Sequence, residues 1–532
     1  MSSKPGRVLP DLTLDPLPIV RLVNAFDLPF DNAVATARTC YSPRVITPEE
    51  VRQNAERRDA IARSTYQAGH HTTLQHATFQ FVLERVSRQL IWSLLHAHPF
   101  YNSEQVSQRY VSVKPGAAAM FTLAPSARGI YAAAIDRQMA AYHELVELLS
   151  PVVEQEYTRI FPGRAKRLDS EPRWRSAIKK RAQEVARYVL PVATHAHLYH
   201  TLNGLTLHRY HRLVLQPDAP LEAKLVVKMM VAEIEKNDPL FFRDIEDPIP
   251  LEETLEAKAL RSLGGEGELG RATSFVESFD RRLGGRTARL LDRSMDPEGA
   301  VARGVRTVLG VDEDALPLDD ALGLVLDPRE NPYLSGALTL STSSKLARAL
   351  SHAHFTFEKK LSHTADSQDQ RHRMVPASRP ILARQLRLDT PDYVVPKLVH
   401  SAPEPVQARY RQAMEESWTA MGQLAKQGTP TEVIMYLLPN AFPIRFTESG
   451  DLLHLHHKWT TRLCYTAQEE IWQASLDEVS EVKAVAPRLA RFLVPPCGLR
   501  ARAEVRPVCP EGDRFCGVKV WKLGLEDYER II

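Results

Sequence analysis

Apolar residues along this chain recur with a two-residue period in some stretches and a helical period in others, and the order of the stretches returns in the second half. Ile19 to Ala25 reads as a short strand, Asn32 to Arg38 as an alanine-rich helix, and Val51 to Gln67 as a further helix. Phe79 to Leu83 alternates apolar and polar residues, as a half-buried strand does. Glu184 to Tyr210 and Leu221 to Glu235 follow a helical period, the first with a kink expected at Pro191. Helices and strands without a regular βαβα alternation predict an α+β fold, each half a β-sheet flanked by long helices.

The return of the pattern is close enough to fix a register. His76-Ala77-Thr78-Phe79-Gln80-Phe81 is followed by Ser87-Arg88, and His352-Ala353-His354-Phe355-Thr356-Phe357 by Ser362-His363. Nine residues after each serine comes a three-residue slot, His96-Ala97-His98 in the first half and Arg371-His372-Arg373 in the second. Ala33-Val34-Ala35 with Arg38-Thr39 matches Ala300-Val301-Ala302 with Arg306-Thr307. Leu190-Pro191 matches Leu438-Pro439, and each pair is expected to open a long helical stretch. Two tandem copies follow, at 18–242 and 287–490, with a charged, glycine-containing linker at 243–286 and a Cys/Pro-containing tail at 491–532. A length of 532 residues fits two domains, since it exceeds what one core usually organises.

Charge and cysteine content narrow the chemistry. A net charge of +3 gives no case for binding a nucleic acid polymer, although a few aimed arginines suffice for a small anion. No apolar run has the length of a membrane span, and Met1 to Asp27 lacks the apolar core of a signal peptide, so a cytoplasmic protein is expected. Five cysteines do not suggest a disulfide framework. Cys497, Cys509 and Cys516 share the tail without a Cys-x-x-Cys knuckle, so a reduced β-hairpin is expected there and no metal ligands are assigned. Cys40 and Cys464 read as small core residues. His195, His197 and His200 lack a placed carboxylate and read as buried or surface histidines. Gly265-Glu266-Gly267-Glu268-Leu269-Gly270 matches the dinucleotide fingerprint in form only, because it follows a helical pattern and puts two carboxylates where a pyrophosphate would sit.

Gly69-His70-x-Thr72-x-Leu74-x-His76, then Ser87-Arg88, then Ser107-Gln108-Arg109-Tyr110 resembles the flavin-dependent thymidylate synthases. So do Glu184 through Pro191 with Asn203 beyond them, Arg371-His372-Arg373, Arg445, and Ala467-Gln468-x-Glu470-Ile471. The resemblance implies FAD as cofactor, dUMP or a related pyrimidine nucleotide as substrate, and methylenetetrahydrofolate and NADPH as co-substrates. It implies flavin contacts at Arg371, His372, Arg373, His76, His352 and Asn203, and substrate contacts at Glu104, Ser107, Gln108, Arg109 and Arg445. Guanidinium groups suit this work because they carry a permanent charge in a fixed fork. Gln468 and Glu470 are expected to stabilise packing, and Asn203 reads equally well as a helix cap. The family's tetramers imply a homodimer of this tandem chain, a pseudo-tetramer, with sites built from elements of different copies.

Both copies depart from the pattern. The first carries histidines in the triplet slot, and the second lacks a clear Ser-x-Arg-Tyr after Arg373. The position of the family's nucleotide-orienting arginine falls on Leu205 in one copy and Leu453 in the other. Three readings stay open at this point: a thymidylate synthase-like enzyme, a flavoenzyme acting on another pyrimidine nucleotide, and an inactive flavin- or nucleotide-binding paralogue.

Overall fold

Alternate residues of Thr78–Ser87 bury their side chains, with Phe79, Phe81 and Leu83 turned to the core, and this strand is the partner on which the first sheet is built. The computed structural model describes residues 12–96, 100–215, 217–263 and 272–532, without the side chains of His96 and Asp513. In it β1 (Ile19–Ala25), β2 (Thr78–Ser87), β3 (Tyr101–Gln105) and β4 (His195–Asn203) form an antiparallel sheet in the order β1-β2-β4-β3. A second sheet repeats the order with β5 (Ala288–Arg293), β6 (His354–Ser362), β7 (Ala377–Ser378) and β8 (Pro443–Asp451), as β5-β6-β8-β7. Even the bulge recurs, between Leu22 and Asn24 in β1 and between Leu290 and Asp292 in β5. The fold is α+β and duplicated.

Three expected helical stretches are corrected. Glu184 to Tyr210 is not one kinked helix: the helix Pro172–Ala186 ends, a turn carries Leu190-Pro191, and the chain enters β4 before the helix Gly204–Arg212. Ala196, Leu198, His200 and Leu202 are buried at every second position, a strand period that the helical reading overrode. Leu438-Pro439 likewise leads into β8 and only then into the helix Leu452–Arg462. Val51 to Gln67 divides into Pro48–Arg52 and Ala55–Gln67, because the Asn54 side chain accepts from the Arg57 N–H at 2.9 Å and starts a new helix.

Other regions also depart from expectation. Within 243–286 the helix Thr273–Leu283 buries Val276, Phe279 and Leu283; the fingerprint-like Gly265 to Gly270 lies outside the described residues. The tail holds no strand among its described residues. It is a short helix, Pro496–Arg502, with two 3-10 turns, since Pro495, Pro496, Pro507 and Pro510 remove the N–H donors a hairpin ladder needs. Cys40 is exposed, not a core residue, and Cys464 is half-buried. No helix among the described residues is long and apolar enough to cross a membrane.

The chain divides into two compact units that do not follow its halves. The first comprises Met1–Ala140, Leu190–Leu269 and Glu416–Leu438; the second comprises Ala141–Val189, Gly270–Glu415 and Pro439–Ile532. Each therefore holds the sheet of one copy and a helical segment of the other. In the first unit, Val192 and Ala193 N–H groups donate to Leu438 and Tyr436 carbonyls at 2.8 and 3.0 Å. In the second, Ala441 N–H donates to the Tyr188 carbonyl at 2.8 Å and Asn440 Nδ2 to Arg187 O at 3.0 Å.

A buried carboxylate fastens each exchange. Glu222 Oε1 accepts from Ser87 N–H at 2.8 Å, and its Oε2 accepts from Ser87 Oγ and Tyr436 Oη, each at 2.5 Å. Glu470 repeats this with Ser362 N–H, Ser362 Oγ and Tyr188 Oη, all at 2.5 Å. The packing role expected of Glu470 is thus a specific one. Burial pushes both carboxyls above the ordinary value, against the pull of these donors, so each hydrogen bond matters. Tyr436→Phe and Tyr188→Phe should each cost about 1–3 kcal/mol of stability, read as a lower urea midpoint; unchanged midpoints in both would show that the triangles do not hold the units.

Candidate functional site

In the first unit the segment Gly69 to His76 leaves the helix Ala55–Gln67 and forms a 3-10 turn, His71–His76, before β2. The turn lies against the start of the helix Gly204–Arg212. Gly204 is required there, because a Cβ would fall 2.8 Å from the Leu74 carbonyl and 2.4 Å from the Phe241 ring. Between the turn and the helix Pro29–Thr39 lies an open apolar slot walled by Phe30, Val34, Ala62, Leu74 and Phe241, with a cavity volume of about 50 Å³. That is room for the edge of a planar group, with the rest of a ligand lying across the mouth.

One polar side chain in the slot stands out. His208 is 6% exposed, packs against Phe241 and Phe242 at ring distances of 5.0 and 4.8 Å, and has the Phe241 backbone as its polar neighbour. Burial pushes it down to about 3, so at neutral pH it is an uncharged ring. At the slot's rim His71 Nε2 lies 2.9 Å from the Tyr66 carbonyl, and Tyr66 Oη donates to Glu246 at 2.7 Å. His76 is exposed at the end of the turn, where its carbonyl accepts from Asn32 Nδ2 at 3.0 Å. Asn203 caps the helix, its Oδ1 accepting from Thr206 N–H at 2.9 Å.

The Ser107 loop is held from behind. Arg88 donates to Gln105 Oε1 at 2.8 Å and to the Val106 carbonyl at 2.6 Å, which pins the chain just before the turn. Within the turn Ser107 Oγ accepts from Arg109 N–H at 3.2 Å, and the Ser107 carbonyl accepts from Val111 N–H at 3.0 Å. Gln108 is buried, Arg109 lies 5.4 Å over the Tyr110 ring, and Glu104 is exposed on β3. His96-Ala97-His98 lies outside the described residues, apart from the His96 backbone.

The second unit uses its charged residues differently. Arg371 is exposed and Arg373 half-buried, both in the turn after the helix His363–Asp369. His372 is held neutral by burial and by Arg462, whose Nε donates to His372 Nε2 at 2.9 Å. Arg445 has no exposed side-chain surface; Asp280 grips it with two contacts of 2.7 Å, and Asp392 lies 3.0 Å from Nη1. That geometry gives Arg445 a structural task, and it is not available to a phosphate without breaking both pairs. His352 is exposed, and its ring lies so close to the helix Pro297–Leu309 that a Cβ on Gly304 would sit 2.7 Å from it. Leu205 and Leu453 are both buried in the first turn after a capped strand end.

Beneath the second sheet lies a network with no exposed surface to speak of. Lys359 Nζ reaches Asp369, Glu448 and Glu478 at 2.8, 3.0 and 2.6 Å, and Lys458 Nζ reaches Asp369 at 3.0 Å and also bonds Glu448. Arg379 pairs with Asp366 at 2.8 Å beside it. By the matched strand ends and caps, the first unit has His200, Tyr210 and Met230 where the second has Glu448, Lys458 and Glu478. His200 stacks on Tyr210 at 5.9 Å in an apolar core. Removing one partner strands the others, so Lys359→Met should cost about 3–5 kcal/mol in urea unfolding, while Lys360→Met, half-solvated, should cost under about 1 kcal/mol; equal costs would contradict this.

Sequence reading had found the loop, the triplet and the turn, but not Arg88's clamp, His208, or the Ser-Glu-Tyr triangles. A signal for the triangles is present: Tyr188-Val189-Leu190-Pro191 and Tyr436-Leu437-Leu438-Pro439 share Tyr-x-Leu-Pro, and each glutamate follows its Leu-Pro at the same spacing. Buried His200 is pushed down to about 4, below the ordinary 6.5. The fold thus excludes a proton that the unfolded chain accepts, so stability present above pH 6.5 is lost as pH falls from about 6.5 toward 4. His200→Phe should flatten the thermal midpoint across pH 7.5 to 5, and profiles parallel to the wild type would sink that assignment.

The thymidylate synthase complementing protein family model matches residues 21–240 and 289–488. A flavin-dependent thymidylate synthase of Geobacter sulfurreducens is 31% identical over 235 residues, 43% of this chain and 92% of that protein. One of Clostridium tetani is 26% identical over 230 residues, 42% of this chain and 85% of that protein. Among solved structures, a UMP/dUMP methylase of Streptomyces cacaoi bound with 5-Br dUMP is 19% identical, with a TM-score of 0.30, covering 42% of this chain and 92% of that one.

Proposed function

The chain belongs to the thymidylate synthase complementing protein family, and from there we propose that it binds FAD and converts dUMP to dTMP. Methylenetetrahydrofolate supplies the carbon unit and NADPH the reducing equivalents. The observation that carries this reading is the apolar slot of the first unit, where the family-like turn meets His208. A buried, uncharged imidazole at the edge of an apolar slot offers a planar ligand both a flat ring to pack on and a polar atom to meet. A flavin ring edge, flat and bearing both hydrogen-bond donors and acceptors, is such a ligand.

FAD, when bound, supplies the hydride chemistry; the chain binds, orients and excludes water. His208 and the His70 to His76 turn hold the ring edge, with Asn203 fixing the helix beneath. Ser107, Gln108, Arg109 and Glu104, all of the first unit, are assigned to the nucleotide. Arg88 positions the Ser107 loop, whose hydroxyl and N–H groups suit a phosphate. Arg445 is left out, because Asp280 and Asp392 already neutralise it. The protein is proposed to be a cytoplasmic homodimer.

A second reading, a flavoenzyme acting on a different pyrimidine nucleotide, is favoured by one observation: Leu205 and Leu453 are both buried, so neither copy supplies charge at that position. Both readings predict a flavin spectrum in the purified protein. The first predicts anaerobic reoxidation of reduced flavin by dUMP with methylenetetrahydrofolate, and dTMP as product. Arg109→Ala should raise the nucleotide KM about tenfold or more, the weight of a lost charge-assisted contact, with flavin retained. Flavin without dTMP would overturn the first reading in favour of the second or of an inactive paralogue; no flavin after reconstitution would overturn both.

A further inference from the structure

Three arginines from separate stretches of the second unit converge on one open cavity of about 430 Å³, lined by Arg329, Arg491, Arg502, Asp327 and Phe492. Each comes at the end of a helix. Arg329 stands just past Leu318–Leu326, Arg491 directly follows Pro487–Ala490, and Arg502 closes Pro496–Arg502 in the tail. Phe492 is buried in the core that also holds Leu322, Val325 and Leu326, so the cavity has a packed floor.

The charges lining the cavity do not balance. Asp327 Oδ1 accepts from the Arg329 N–H at 3.0 Å, and the same carboxylate accepts from the Arg329 guanidinium at 3.0 and 2.5 Å, so these two residues form a closed pair. Arg491 lies 4.6 Å over the Phe492 ring, and Arg502 Nη1 donates to the Arg491 carbonyl at 2.7 Å. Among the described residues no carboxylate stands within ion-pair distance of either guanidinium. Arg488, three residues before Arg491, is by contrast neutralised by Glu298 and Asp319, each at 3.1 Å. Three guanidiniums therefore face one carboxylate, and two positive charges remain uncompensated. Burial holds Arg502 below its ordinary range; Asp327 opposes this, while Arg329 and Arg491 add to it.

We propose that this cavity binds a terminal diphosphate or triphosphate, free or carried by a nucleoside, with Arg491 and Arg502 as its main contacts and Arg329 beside them. Guanidinium forks match phosphate oxygens two at a time, and a terminal polyphosphate brings the negative charge the cavity lacks. The volume lies in the usual range for small-molecule sites, about 300–1,000 Å³, and exceeds what a single phosphate fills. Stacking on Phe492 sets the plane of Arg491, and the Arg491 carbonyl holds Arg502, so little side-chain freedom is lost on binding. The ligand ties the tail to the helix Leu318–Leu326 and stabilises the folded chain by mass action. It adds an outer site to the unit whose interior is closed, and the inference needs no flavin or dUMP chemistry.

The test is calorimetric titration of the full chain with inorganic pyrophosphate and, separately, with ADP. One site per chain is expected that persists in Arg109→Ala, where the Ser107 loop is disabled, and that weakens about tenfold or more in Arg491→Gln and in Arg502→Gln. Tighter binding of ADP supports the nucleoside-borne group, and tighter binding of pyrophosphate the free one. Pyrophosphate should also raise the thermal midpoint of Arg109→Ala but not that of the double variant Arg491→Gln/Arg502→Gln. Since neither arginine pairs with a carboxylate, the urea midpoints of the ligand-free variants should stay at the wild-type value, which separates a lost site from a lost fold. Wild-type chain that binds neither probe, or binding that Arg109→Ala abolishes and Arg491→Gln leaves untouched, would overturn the proposal.

Discussion

A carboxylate taken out of water must be surrounded by donors, and each unit of this protein is closed around one such group. Glu222 and Glu470 each collect an N–H and a hydroxyl from the serine at the end of a central strand. The third donor is a tyrosine from the other copy. Hydrophobic packing alone tolerates many partners, whereas a buried carboxyl with three short hydrogen bonds accepts few. The exchanged segments, 416–438 in the first unit and 141–189 in the second, are thereby specified as well as buried. Duplication in one chain makes such an exchange possible without a second molecule.

On this shared frame the two copies have filled their interiors differently. The first keeps an apolar core around His200, Tyr210 and Met230 and leaves a slot beside the Gly69 to His76 turn, with the neutral His208 in its lining. The helix Ala55–Gln67 on that slot buries no residue, which leaves the region open to a ligand. The second packs Leu322, Val325 and Leu326 tightly, closes the helix Pro297–Leu309 onto Ala349 and His352 at Gly304, and invests its interior in a lysine and carboxylate network. Buried ion pairs contribute little net stability but define one arrangement sharply. The division proposed here is between a half that binds and a half that holds.

The sequence made the duplication legible because strand-end serines, Leu-Pro turns and the His-Ala-x-Phe-x-Phe strands are local patterns. It also revealed the Ser107 loop, for the same reason. β4 and β8 were hidden: histidines and a tyrosine in His195–Asn203 obscured an alternation that only burial discloses, and the flanking helices extended the helical reading over it. Arg445 looked like an anion binder because its partners, Asp280 and Asp392, are remote in sequence and no local rule pairs them.

The account stands most directly on the number of flavins that the full chain binds. Equilibrium titration of the flavin-stripped protein with FAD, followed by flavin fluorescence, should saturate at one FAD per chain, because the first unit has the apolar slot beside the turn and the second closes the matching place with His352 against Gly304. Saturation at two per chain would contradict the division into a binding and a holding half.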